Sequence, residues 1–141
     1  MTKDRNQARL ANESFYEAFE RLDISRMQDV WRRAAHVKCI HPGGALLTGY
    51  EAVLKSWEEI FSQTLSIHFD LSNISVELKG DVAWITLTEQ VTLNSTDGMS
   101  KGLMIATNIF EWAEDRWQMI HHHAAPAPLN TPANRSRQTL H

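Results

Sequence analysis

Two periods of apolar residues divide the chain near residue 65. Before that point the apolar positions recur at helical spacing. Ala11, Phe15, Ala18, Phe19 and Leu22 form one stripe, opposite Glu13, Glu17, Glu20 and Arg21, which predicts an amphipathic helix over residues 4–22. Met27, Val30, Trp31 and Ala34 predict a second, shorter helix, with Ser25 and Gln28 at the spacing of a capping box. Thr48 and Glu51 repeat that spacing before a third stripe, Val53, Trp57, Ile60 and Phe61. Between the second and third helices, residues 36–41 alternate as a strand does and stop at Pro42-Gly43-Gly44.

From Leu65 onward the period is two. Leu65, Ile67, Phe69 and Leu71 carry odd numbers, whereas Ile74, Val76 and Leu78 carry even ones. That change of parity requires an extra residue near Ser72 or Asn73, so a bulge is expected there. Lys79-Gly80-Asp81 turns the chain into a strand over 82–93, and the loop 94–98 leads into another over 101–112. Residues 113–116 turn it into the last strand, which starts at Trp117 and runs through His121-His122-His123 to Pro126. Helices followed by a four-stranded antiparallel meander predict an α+β fold, with three N-terminal helices over one face of a curved, mostly antiparallel sheet. The expected domain spans residues 1–126. Residues 127–141, poor in apolar groups, are expected to form a flexible tail.

Composition narrows the class. At 141 residues, 43% apolar and 22% charged, the chain is an ordinary globular domain. A net charge of -3 with interspersed signs leaves no footprint for nucleic acid. No apolar run approaches the roughly 18 residues of a membrane span, and residues 1–7 open no signal-peptide core. A lone cysteine, Cys39, excludes an intrachain disulfide and fits a reducing compartment, so a cytoplasmic location is expected. Five tryptophans in so short a chain predict aromatic lining of a core or cavity.

His41-Pro42-Gly43-Gly44 follows the first strand, Gly49 precedes Trp57 and Phe61 in the third helix, and Trp117 precedes His121-His122-His123-Ala124. On these motifs and the order of elements, residues 5–126 resemble the SnoaL-like branch of the nuclear-transport-factor-2-like superfamily, the cone-shaped fold of ketosteroid isomerase and scytalone dehydratase. The last stretch is also similar to the end of the association domain of calcium/calmodulin-dependent protein kinase II, which assembles and does no chemistry. The resemblance implies a strongly curved sheet forming a cone with an internal cavity between helices and sheet, and commonly a dimer. It implies no particular activity, since one fold hosts many. In the kinase association domain, arginines occupy the positions of Glu89 and Asn108, so its anion site is not carried over. Ketosteroid isomerase keeps its general base on the first strand, but here no aspartate or glutamate occurs between Val30 and Tyr50.

Strand register then predicts which side chains share the cavity. Pairing Trp112 with Trp117 sets Phe110 opposite Met119, Asn108 opposite His121 and Ala106 opposite His123, with His122 on the other face. Ala83, Ile85, Leu87, Glu89, Val91 and Leu93 share one parity, apolar except for Glu89, and are assigned to the concave face. The expected pocket collects Glu89, Asn108, His121 and His123, joined by His41, with Tyr16, Trp31 and Trp57 as aromatic walls. Such a pocket suits a small, largely apolar molecule. Glu89 is the expected general base, because burial between Leu87 and Val91 raises a carboxyl pKa toward the range useful for proton transfer. His41 or His121 is its expected partner and Asn108 a hydrogen-bond donor. The reaction class would be isomerase, cyclase or hydratase; the alternative is a non-catalytic dimeric binding or accessory module.

His121, His123 and His41 are also ligand types for a metal, but no spacing is diagnostic, and neither a metal nor another cofactor is expected. Cys39, two residues from His41, reads as a buried thiol rather than a nucleophile. Trp84, Ile105, Ile109 and Ile120 make the convex face too apolar for solvent alone. A homodimer through that face is expected.

Overall fold

The computed structural model describes residues 3–128. Helices α1 (Arg5–Glu20) and α2 (Ile24–Val30) come first, then strands β1 (Lys38–Ile40) and β2 (Leu47–Thr48), then helix α3 (Tyr50–Gln63). Strands β3 (Thr64–Lys79), β4 (Val82–Ser95), β5 (Gly98–Ala113) and β6 (Arg116–Pro126) complete the chain. The sheet order is β2-β1-β6-β5-β4-β3, antiparallel except where β1 runs parallel to β6. It is an open, six-stranded α+β cone; the three helices and the four-stranded meander are as the periodicity predicts, and the short β2 is an addition to them. Among the described residues no helix is long and apolar enough to cross a membrane. The expected tail lies mainly outside the described residues; within them, the Ala127 amide still donates to the Leu103 carbonyl at 2.8 Å.

Local chemistry sets the helix ends, and it departs from the expected capping boxes. α2 is capped by Asp23, whose carboxylate accepts from the Arg26 amide at 3.1 Å, and Ser25 lies within the first turn. α2 also stops early. Trp31 is extended and its backbone bridges to Met119 of β6, so Trp31 and Ala34 fall outside the helix. α3 starts at Gly49, with φ 96° and no side-chain cap. Thr48 cannot cap it, because its backbone is committed to β2, paired with Lys38. A backbone turned to that positive φ favours glycine.

The predicted bulge in β3 is present. Pairing with β4 breaks between Ser72 and Ser75, and Asn73 sits at φ 54° with its amide donating to the buried Thr88 hydroxyl at 3.2 Å. A second bulge, which periodicity did not predict, lies in β6. Phe110 pairs with Met119 but Ile109 pairs with His121, leaving Ile120 without a partner. Each bulge bends its strand and adds twist, which curves the sheet around α1.

Inside the curve, Phe15 meets Tyr16, Trp57 and Phe19 edge to face at 4.8, 5.6 and 6.0 Å between ring centroids. Phe15, Met27, Trp31, Trp57, Ile85, Phe110 and Met119 are fully buried. α1 buries Ala8, Asn12, Phe15, Tyr16 and Ala18, so two polar side chains stand on its inner face while Ala11 and Phe19 are only half-buried.

The capping assignment has a direct consequence. Asp23→Ala should lower the unfolding free energy by about 1 kcal/mol, whereas Ser25→Ala should change it by less than about 0.5 kcal/mol. Urea denaturation of the two variants compares them, and equal losses would contradict the assignment.

Candidate functional site

Asn12 and Tyr16 stand one helical turn apart on the inner face of α1. Strand parity brings Glu89 of β4 and Asn108 of β5 to meet them, as predicted. The fourth strand position is a correction. Because Ile120 is bulged out, Asn108 pairs with His122 and not His121, and every side chain beyond the bulge changes face. His122 is buried at the centre. His121 is half-buried and His123 exposed, on the outer side with Ile109 and Thr107. The expected inner placement of His121 and His123 is therefore overturned, as is the outer placement of His122.

These residues form one hydrogen-bonded chain. His122 Nδ1 bonds Asn108 Oδ1 at 2.6 Å, and Asn108 Nδ2 donates to Asn12 Oδ1 at 2.8 Å and to the Tyr16 hydroxyl at 3.2 Å. The Tyr16 hydroxyl donates in turn to Glu89 Oε2 at 2.5 Å. The donors from His122 through Asn108 and Tyr16 run toward Glu89, and the bond from Asn108 to Asn12 is a side branch. With Asn108 oriented by Asn12 and Tyr16, its carbonyl must accept, so His122 carries its proton on Nδ1. Phe15 and Trp57 flank the His122 ring at 4.8 and 5.9 Å, and Phe69 lies against Tyr16 at 5.1 Å.

Burial dominates the electrostatics. Glu89 is 3% exposed, and desolvation raises its pKa while the Tyr16 hydrogen bond opposes that rise. Tyr16 is pushed well above the usual phenol range by burial first and the Glu89 charge second, so it remains a donor. His122 falls to about 3, chiefly through burial and further through the neighbouring imidazoles of His41, His121 and His123, and it is neutral at ordinary pH.

His41 stands nearby but does not join the chain. Its Nε2 bonds the Ser56 hydroxyl at 2.9 Å, and its ring meets Trp57 edge to face at 4.7 Å. Burial lowers its pKa. Cys39 Sγ lies 3.6 Å from the same nitrogen, yet burial pushes the thiol up to about 12, which makes it a poor nucleophile. Trp31 is buried through its bridge to Met119 and makes no hydrogen bond to the cluster. Among the described residues no group of three or more His, Cys, Asp or Glu side chains is arranged to hold a metal ion.

Sequence reasoning missed Asn12 and His122. The signal for Asn12 was its spacing of four from Tyr16, in line with Ala8 and Phe15. For His122 it was a parity change from Trp117 and Met119 to Ala124, hidden by the three histidines between them.

The model of the SnoaL-like domain family matches residues 9–129. The chain belongs to the SnoaL-like family. A candidate dehydratase of the NTF2-like family from Streptomyces avermitilis is 35% identical, with a TM-score of 0.84 over 89% of this chain and 96% of that one. A candidate calcium/calmodulin-dependent protein kinase type II association domain from Thiobacillus denitrificans is 30% identical, with a TM-score of 0.75 over 84% and 93% of the two chains. The F-box protein SKIP8 of Arabidopsis thaliana is 31% identical over 114 residues, 81% of this chain. The chain spans about half of that relative, 47% of its length. SnoaL-like membership thus accounts for the cone, and the proteins that this chain resembles include a candidate dehydratase and a candidate association domain.

The His122 shift has a definite sign. An unfolded histidine takes up a proton near pH 6.5, whereas folded His122 resists it down to about 3. The stability this neutral residue contributes is fully present above pH 6.5 and is lost as pH falls toward 3, at about 1.4 kcal/mol per unit. Urea denaturation between pH 7 and pH 4 should show a steeper loss for the native protein than for His122→Gln; parallel curves would refute it.

Proposed function

We propose that this SnoaL-like protein binds a small, largely apolar molecule inside the cone and catalyses proton transfer on it, as a dehydratase, isomerase or cyclase. The observation that carries this reading is the buried Tyr16–Glu89 hydrogen bond, aligned by Asn108 and His122. Glu89 is the base: its carboxylate takes a proton from the carbon beside a carbonyl and returns it to a second carbon or to a departing hydroxyl. Its raised pKa makes the carboxylate a stronger base than an ordinary one, which eases the abstraction. Tyr16 steers the carboxylate, Asn108 positions Tyr16, and Asn12 holds Asn108. Trp57 and His41 form an aromatic wall of the ligand site, and Trp31 supports it from outside. His121 and His123 no longer belong to the set, because they stand on the outer face. The likeness to a candidate dehydratase at 35% identity supports the same class.

Deuterium exchange at the carbon beside the carbonyl, followed by NMR across small ketones and β-hydroxy ketones, measures the step without presuming the product. The native protein should accelerate exchange, and the rate should rise with pH through a carboxyl pKa above 4.5. Glu89→Gln should slow it by about 10²–10⁴-fold, and Tyr16→Phe by less. A Glu89→Gln protein that exchanges at the native rate would end the catalytic reading.

A second reading, a non-catalytic dimeric binding or accessory module, is favoured by a different observation. On the convex face Trp84 and Ile105 are 38% and 42% exposed, with Ile109 beside them. We infer that a second copy covers this strip in a homodimer. In sedimentation velocity the native protein should run as a dimer, and Trp84→Glu combined with Ile105→Glu should run as a folded monomer. A native monomer at micromolar concentration would rule the dimer out.

A further inference from the structure

A groove of about 330 Å³ lies between α1, α2 and the hairpin end where β5 meets β6. None of Tyr16, Glu89, Asn108 and His122 lines it, so it is separate from the polar chain in the cone. Its apolar lining comes from Leu10, Ala11 and Val30 on the helices and from Phe110 and Trp117 on the sheet. Leu10 is 44% exposed and presents an accessible apolar surface to the groove. The buried Trp117 indole N–H has no acceptor among the described residues.

The charges around the groove do not cancel evenly. Glu17 accepts from Arg26 at 2.6 Å, which closes one pair. The Asp29 carboxylate is shared with Arg33, 3.8 Å away and outside the groove. Arg116 has a different kind of partner. It donates from Nη1 to the Asp29 backbone carbonyl at 2.8 Å, and it forms no ion pair among the described residues. A guanidinium with unused N–H donors thus stands at one end of an apolar trough. That volume falls in the range of small-molecule sites, and a guanidinium matches a carboxylate with two parallel hydrogen bonds.

We propose that this groove binds an amphipathic organic monoanion, a carboxylate carried on a short apolar chain or ring. The carboxylate pairs with Arg116, and the apolar body lies on Leu10, Ala11 and Val30, over the buried Phe110 and Trp117. Glu17 and Asp29 on the rim disfavour a second negative charge, which selects a monoanion over a dianion. The site does not depend on proton transfer at Glu89, so either proposal can fail alone.

Octanoate is the probe, with octanamide as the uncharged counterpart of equal length. Titration into ¹⁵N-labelled protein is followed by the indole N–H resonances, with Trp117→Phe identifying the Trp117 signal. Octanoate should bind saturably and move that signal, and octanamide should bind about tenfold more weakly. Arg116→Gln should remove the preference for the anion while leaving octanamide binding unchanged, and Arg116→Lys should restore part of it. Ala11→Phe, which fills the groove, should weaken both ligands. Equal affinity for the two probes in the native protein would overturn the proposal. So would an undiminished preference in Arg116→Gln, or octanoate shifts confined to residues around Glu89.

Discussion

A carboxylate taken out of water needs a donor, and Glu89 finds one in the Tyr16 hydroxyl. That hydrogen bond links the first helix to the fourth strand across 73 residues of chain. It also fixes the rotation of α1, because Tyr16 can reach Glu89 only if Asn12 and Phe15 turn inward as well. With Asn12 and Tyr16 in place, both amide protons of Asn108 have acceptors, and its carbonyl is left for His122. Removing any member strands a buried polar group, so the five linked residues stand or fall together.

The bulges at Asn73 and Ile120 are what allow one sheet to supply so many inward groups. In β3 the extra residue keeps Phe69 and Val76 both buried although their parities differ. In β6 it keeps Met119, His122 and Ala124 buried on one strand. Without the slip at Ile120, His121 and His123 would have turned inward and two imidazoles would have competed for the aromatic interior. With it, a single histidine enters, and its partner is a neutral amide rather than a carboxylate. That difference matters chemically. A buried histidine beside an amide stays neutral and orients its neighbour, whereas one beside a carboxylate would draw a proton.

The SnoaL-like cone therefore separates two environments on the same strands. Inside, a directed set of hydrogen bonds ends on a raised-pKa carboxyl held by a phenol. Outside, the same strands present Trp84 and Ile105 to their surroundings. The acid comes from β4 and not from the first strand, where Cys39 and His41 stand instead.

By itself the sequence determined the three helices, the strands of the meander and most of their faces, because apolar periodicity is a local property of the chain; the short β2 and the early end of α2 were set by pairing with the sheet. It predicted three helices, the meander, the β3 bulge and the inward parity of Glu89 and Asn108. The bulge in β3 was legible because apolar residues flank it on both sides. The one in β6 was not, because a run of histidines carries no hydrophobic signal to locate the slip. Asn12 looked like an ordinary helix position, and Tyr16 like an aromatic wall only, until the sheet supplied Glu89 and Asn108 opposite them. Which histidine enters the cone was decided by tertiary pairing: Ile109 lies opposite His121, Ile120 is left over, and a shift of one residue reverses every side chain beyond it.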